Sequence, residues 1–370
     1  MKLIYLTPRN RPHDYTPLKL IKSLLNLPTP STINYYWNLG SLLGLCLSVQ
    51  ILTGVFLTIF FKADLSQSFS RVVRIMNNIN NGWIIRFIHS TGASVFFIIC
   101  YAHIGKALYF SSFYFWKVWA SGLFLILFLI IEAFLGYVLP WGQISFWGAT
   151  VITNLISVIP YFGPLAVQWL WGGFNVGDPT LTRFLSFHFI IPFIIIAMRG
   201  IHLIILHETG SSNPLGIPLN LDKIRFSKFF IIKDLITVIL VLLGLILLRT
   251  IFPFMFIDPE NFIKANPIVT PIHIQPEWYF LFAYAILRSV PRKLGGVLML
   301  VLSIVIIIVL PLLSKNKIKG LKFRFIKWLL FFHLGSFVIL TWLGIQPVES
   351  PFVTLGMIYS VFYFSFYFLF

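Results

Sequence analysis

A chain of 370 residues that is 58% hydrophobic and only 11% charged, with a mean hydropathy of +0.90, is too apolar for a water-soluble globular domain and belongs in a bilayer. Its formal net charge of +17 does not point to nucleic acid, because the basic residues punctuate long uncharged runs, as loops facing anionic headgroups do. Cys46 and Cys100 sit inside apolar stretches without a CxxC or CxxCH pattern, so disulfides, zinc, iron–sulfur ligation and covalent cofactor attachment lack support.

Met1 to Pro30 is basic and contains proline, but no apolar core precedes a small-residue cleavage site, so no signal peptide is expected. A bilayer core about 30 Å thick needs about 20 apolar residues of helix. Eight stretches qualify: Asn34 to Phe61, Trp83 to Phe110, Val118 to Leu139, Leu181 to Leu206, Leu235 to Ile257, Leu294 to Ser314, Trp328 to Gln346 and Pro351 to Phe370. The expected class is therefore all-α transmembrane. Between spans three and four, Pro140, Pro160, Gly163, Pro164, Gly172 and Gly173 cut Trp141 to Gly177 into short pieces, which predicts amphipathic helices lying at the surface. Thr270 to Val290, interrupted by Pro271, Pro276, Glu277 and Arg288, is expected not to span.

Alternate loops differ in charge. Lys2, Arg9, Arg11, Lys19 and Lys22, then Lys106 and Lys117, then Lys223, Arg225, Lys228 and Lys233, then the cluster from Lys315 to Lys327 fall on one side. By the positive-inside tendency both termini face the negative side. The 40 phenylalanines suit a gene under A+T pressure, such as a mitochondrial one, which would make that side the matrix.

His89 and His103 lie on the second span and His188 and His202 on the fourth, each pair 14 positions apart. Fourteen residues of helix rise about 21 Å and return to within about 40° of the same face. Spans two and four run parallel, so His89 is level with His188 and His103 with His202. Two bis-histidine sites stacked across the membrane result, and axial imidazole pairs suit a non-covalent b-type haem that carries electrons. Four histidines that merely bond between helices are the alternative. Gly40 and Gly54 on span one, and Gly122 and Gly136 on span three, repeat the interval of 14. At these levels they let a flat macrocycle approach the backbone, although helix packing also favours glycine.

Charges inside spans need partners. Arg86 and Lys106 each stand three positions from a candidate ligand and are expected to pair with haem propionates, with Arg183 and Arg199 in a like role. Glu132, in mid-span, is expected to hydrogen-bond a neighbouring helix.

Several strings resemble the cytochrome b family: Pro276-Glu277-Trp278-Tyr279 matches its PEWY motif, Gly142 to Asn154 its surface-helix region, and Leu206 to Gly216 its LHETGSxNPxG string. The resemblance covers nearly the whole chain. It implies eight spans, with the first four forming a bundle that holds two haems. Residues 1–215 would form the dihaem bundle with the surface helices, and residues 216–370 a four-span region carrying the PEWY loop. It implies a quinol oxidation site at Tyr137, Gly148, Pro276, Glu277, Trp278 and Tyr284, with Glu277 accepting a proton and Tyr279 also catalytic. It further implies a quinone reduction site at Trp37, Asn38, Ser41, His207, Ser211, Lys233 and Asp234, with His207 and Asp234 supplying protons.

The family resemblance also implies the core electron-transfer subunit of ubiquinol:cytochrome c reductase, working by a Q cycle with ubiquinone as substrate. Its expected partners are the Rieske iron-sulfur protein, a c-type cytochrome subunit and the other complex III subunits, in a dimeric complex in the mitochondrial inner membrane, with no nucleic acid. Lys106 departs from the arginine frequent in relatives, and Glu132 and Arg199 stand where apolar or small residues are usual. A transporter with charged mid-membrane residues and a dihaem anchor for a dehydrogenase are the competing classes. The first lacks an inverted repeat here, and the second needs neither the PEWY loop nor the last four spans.

Overall fold

The computed structural model describes residues 26–217, 221–313 and 324–369. The basic N-terminal residues Lys2 to Lys22 and most of the cluster from Lys315 to Lys327 lie outside them.

Long apolar runs without interior breakers fold as helices because a helix satisfies every backbone group within its own segment, which a bilayer requires. The first four long helices are α1 (Leu39–Phe60), α3 (Gly82–Tyr109), α4 (Trp116–Val138) and α7 (Asp178–Thr209). Pro192 lies within α7 without ending it. A helical turn over Tyr35–Asn38 leads into α1, capped where Asn34 Oδ1 accepts from the Tyr36 N–H at 3.1 Å. Between α1 and α3 stands α2 (Ser68–Asn78), which buries Ser68 and Ile75 and matches no expected element.

The segment after α4 forms two short helices, α5 (Gln143–Asn154) and α6 (Gly163–Trp171), where the glycines and prolines had indicated surface pieces. The fifth span, α8 (Phe229–Ile251), begins and ends about six residues earlier than Leu235 to Ile257. Pro253 disfavours helix at the residue before it, so α8 stops short of Phe252. The sixth is divided into α10 (Lys293–Val305), a 3-10 turn at Ile306–Val309 and α11 (Leu310–Leu313). Pro311 gives no N–H and crowds the carbonyl of Ile307, which accounts for the tightening there.

Seven helical segments among the described residues are long and apolar enough to cross a membrane. The expected seventh span, Trp328 to Gln346, forms α12 (Arg324–Leu343), whose apolar part Lys327–Leu343 is shorter. The last is α13 (Phe352–Leu369). The PEWY segment leads through a 3-10 turn (Trp278–Phe280) into the short α9 (Leu281–Ser289). Two strands, β1 (Pro28–Pro30) and β2 (Lys223–Arg225), pair antiparallel with Thr29 opposite Ile224.

The apolar interior falls in two clusters. One is built on the first four spans from Leu42, Cys46, Phe96, Phe97, Leu123, Ile126 and Phe184. The other joins α9, α12 and α13 through Phe282, Ile286, Leu340, Leu343 and Tyr367. Arg288 stitches the second together by donating to the Leu343, Gly344 and Gln346 carbonyls at 3.2, 3.3 and 2.7 Å, which satisfies carbonyls at and just beyond the C-terminal end of α12. Cys46 and Cys100 are buried free thiols.

Candidate functional site

In the N-terminal bundle α1 packs along α3 and α4 along α7, while close backbone packing between the two pairs is sparse. The glycines lie on the two tight seams. A methyl group placed at Gly54 would stand 3.1 Å from His89 Cε1, one at Gly40 3.6 Å from His103 Cε1, and one at Gly122 3.5 Å from His202 Cε1. One at Gly136 would collide with the His188 ring. Each histidine therefore rises past a bare strip of neighbouring helix and faces across the space between the pairs.

At one level His89 and His188 face each other with ring centroids 6.2 Å apart and planes at 89°. Two imidazoles ligating one ion from opposite sides, each nitrogen about 2 Å away, would place their ring centres roughly 6 Å apart. At the other level His103 and His202 interact electrostatically. Among the described residues no three His, Cys, Asp or Glu side chains gather around one point, so an ion between two imidazoles would take its remaining ligands from a macrocycle. The cavity around His89 and His188 has about 1630 Å³ of empty volume, part of it open to the surroundings, and is walled by Gly54, Gly136, Arg86, Phe96, Phe97, Leu129 and Phe193.

The second ring nitrogens decide which atom is presented. Thr53 Oγ1 lies 2.9 Å from His89 Nδ1, and its own proton goes to the Val49 carbonyl at 2.6 Å. Ser121 Oγ lies 2.8 Å from His202 Nδ1 and donates to the Val118 carbonyl at 2.8 Å. Both hydroxyl oxygens thus accept from Nδ1–H. His188 Nδ1 donates to the Glu132 carbonyl at 3.0 Å and lies 2.7 Å from Glu132 Oε1. These bonds fix the tautomer that leaves Nε2 as the free lone pair, the arrangement a metal-ligating histidine needs. His103 Nδ1 is buried without a partner among the described residues. The donor set and the glycine-lined cavity fit a bis-histidine haem.

The charged residues divide. Lys106 lies over the Trp37 ring, 4.1 Å from its centre. Arg86 lines the large cavity beside His89 and is electrostatically coupled to Glu277. Arg183 donates to the Trp169 carbonyl, with its guanidinium 5.6 Å from the Trp169 ring centre, which ties α7 to α6. Arg199 lies against α1, where a methyl at Gly44 would meet its guanidinium at 2.6 Å.

Glu277 and Tyr137 line both the large cavity and a small neighbouring one walled by Gly148, Ala149, Ile152, Gln275 and Pro276. Burial, reinforced by the Asp258 carboxylate, pushes the Glu277 carboxyl up to about 8, against the opposing pull of Arg86 and of a hydrogen bond with Tyr137. Trp278 donates from its indole to Ser94 Oγ at 3.1 Å, and Tyr279 stacks on Phe97 at 3.9 Å with planes 2° apart, so α3 anchors the whole PEWY segment. Tyr284 donates to the Ile274 carbonyl at 3.2 Å. Two residues that sequence reasoning missed complete this region. Asp258 receives Gln275 at 3.3 Å, and buried Asn261 accepts the Ser145 N–H at 3.0 Å, locking the loop after α8 to the start of α5. Neither belongs to a readable motif, because each acts through a contact distant in sequence.

At the opposite end Ser41 donates to Asp234 Oδ1 at 3.0 Å, Asn38 donates to Thr237 at 3.2 Å, and Lys233 donates to the Ile33 carbonyl at 3.1 Å. His207 stands exposed in the last turn of α7, and no hydrogen bond joins it to this group. Ser212, beside Ser211, bonds Ser112 at 3.0 Å.

Residues 24–210 match the family described as Cytochrome b/b6/petB, and residues 264–364 match Cytochrome b(C-terminal)/b6/petD. A chain of a solved structure titled "Hyperthermophilic respiratory Complex III" is similar at 29% identity with a TM-score of 0.88, over 96% of this chain and 95% of that one. With the first match covering more than half of its length and the second most of the remainder, the chain belongs to the cytochrome b family.

Proposed function

We propose that this protein is the electron-transfer membrane subunit of a ubiquinol:cytochrome c reductase, oxidising quinol at the positive face and reducing quinone at the negative face. The observation that carries the reading is the pair of glycine-backed histidine levels, one of which opens onto a buried glutamate. Non-covalent haem b held by His89 and His188, and a second held by His103 and His202, supplies one-electron carriers at two depths of the bilayer, which side chains alone do not provide.

At the positive face the small cavity between Gly148, Pro276 and Glu277 takes the quinol ring. A quinol hydroxyl releases a proton as it loses an electron, and Glu277 accepts that proton at a carboxylate oxygen, since its ionisation near 8 matches the working pH. Tyr137 holds the carboxylate by a hydrogen bond. Arg86 offers the cation that the carboxylate needs once ionised, and as a cation lining the cavity it would also pair with a propionate of the nearer haem.

At the negative face the reduced ring needs protons. Asp234, held by Ser41, stands at the mouth of α1 and α8 as one donor, with exposed His207 as the second. Trp37, Asn38 and Lys233 flank the approach, Ser211 is assigned to it by the family resemblance, and Lys106 over Trp37 would offer a cation to the second haem's propionates. Electrons divide at quinol oxidation, one leaving for a Rieske iron-sulfur protein and one crossing inward, so protons are released on one face and taken up on the other. The likeness to a chain of a respiratory Complex III supports further subunits. A c-type cytochrome among them and a dimeric assembly follow from the family resemblance alone, and the composition and loop charges support a mitochondrial inner membrane with both termini on the matrix side.

Redox difference spectroscopy of the purified complex tests the reading. Two resolvable low-spin b-type signals are expected, one lost in His188→Leu and the other in His202→Leu. A colourless preparation, or a single signal lost in both variants, would overturn it.

A further inference from the structure

The two imidazoles at the positive-side level are held by unlike partners. His89 Nδ1–H meets a neutral hydroxyl, Thr53 Oγ1 at 2.9 Å. His188 Nδ1–H is shared between two acceptors of Glu132, the carboxylate at 2.7 Å and the more distant main-chain carbonyl at 3.0 Å, and the other carboxylate oxygen is buried with no partner among the described residues. Glu132 and Gly136 stand one turn apart on α4, so one face of that helix both clears space for the His188 ring and places an anion behind it. An anion in mid-span is costly and persists where it is used. At the negative-side level the corresponding partner of His202 is the Ser121 hydroxyl, so His188 alone among the four carries a carboxylate partner among the described residues.

We propose that Glu132 is a positioning residue that lowers the reduction potential of the positive-side haem. This rests on the haem reading above. A carboxylate accepting from Nδ1–H draws that proton toward itself and leaves Nε2 more electron-rich, which favours the oxidised iron over the reduced one. Its negative charge acts in the same direction through space in a low-dielectric interior. The reaction is unchanged, with one electron arriving and one leaving. What changes is how readily this haem gives its electron up to the second one, about 21 Å of helix away. The consequence is a steeper descent for the inward electron, set by a side chain that touches neither quinone.

The test is a potentiometric titration of both haems in purified complex, wild type against Glu132→Gln and Glu132→Leu. The positive-side signal is identified as the one lost in His188→Leu. In Glu132→Gln, which keeps size and an acceptor but removes the charge, that signal should become easier to reduce by about tenfold in equilibrium constant, or about 59 mV for one electron. Glu132→Leu should move it at least as far, with a change in the low-spin EPR signal of the same haem, and the other haem should stay within twofold. An unmoved potential in both variants, or an equal shift of both haems, overturns the proposal. So does loss of the positive-side haem in both variants, which would make Glu132 an anchor. Absence of two b-type signals in the wild type would instead sink the haem reading.

Discussion

The Ser41 hydroxyl shares its proton between Asp234 Oδ1 at 3.0 Å and the Asn38 carbonyl at 2.8 Å, joining the first turn of α1 to α8 across 193 positions of sequence. The bond leaves the second carboxylate oxygen of Asp234 for another donor or for a substrate, on the same side as Lys233 and the Ile33 carbonyl. Asp234→Asn is therefore expected to slow oxidation of the negative-side haem by quinone by about 10²-fold, the usual worth of a positioned proton donor. Ser41→Ala should cost less. Stopped-flow oxidation of pre-reduced haem measures both, and an unaltered rate in Asp234→Asn would remove it from the site.

Glu277 ionises near 8 because burial and Asp258 disfavour its charged form. Only the ionised form accepts a proton, so quinol oxidation should climb as pH rises from 7 to 9 and then level off. Asp258→Asn removes the repulsion that raises the carboxyl, and should move the inflection to lower pH. Glu277→Gln should flatten this limb and reduce the rate. Steady-state pH profiles of the three proteins decide the matter; coincident curves for Asp258→Asn and wild type would refute the coupling.

Gly136 has no room for a side chain, since even a methyl would strike the His188 ring. Gly136→Leu should leave one haem per chain where the wild type holds two, counted by pyridine haemochrome assay. Retention of both would show that the cradle yields.

Asn261 is buried, and its Oδ1 serves the Ser145 N–H at 3.0 Å and shares the Ser145 hydroxyl at 2.9 Å. Asn261→Ala strands a buried donor, a loss of about 1–3 kcal/mol. A lower Tm is expected, together with weaker quinol binding at the positive face, because the α5 wall of the small cavity hangs on that loop. Thermal unfolding in detergent and KM for quinol provide the readouts.

The transmembrane character and the histidine levels were legible because both depend on periods that a helix imposes locally: about 20 apolar residues to cross a bilayer, and 14 positions to return to a face. The PEWY string was legible as a likeness, and the structure adds what holds it, through Ser94 and Phe97 on α3. Helix α2 escaped notice because Ser68–Asn78 is short and carries two arginines, so neither span length nor a clean apolar run marks it. The C-terminal end of α8 and the break in the sixth span were set by Pro253 and Pro311, each acting on a residue N-terminal to itself. Asp258 and Asn261 act across roughly 20 and 116 positions respectively, and no local pattern records such pairings.

The two tight seams, α1 on α3 and α4 on α7, have little backbone holding one to the other at the histidines. The halves share one apolar cluster and the Arg199 side chain against α1, and whatever bridges the facing imidazoles adds mortar between them. Assembly of the bundle is then tied to loading: affinity for the macrocycle is converted directly into cohesion. Chain made under haem starvation should keep its helical circular dichroism, yet be cut by protease in the α4–α7 connection far faster than loaded protein. Equal cutting rates would mean that the halves grip each other unaided.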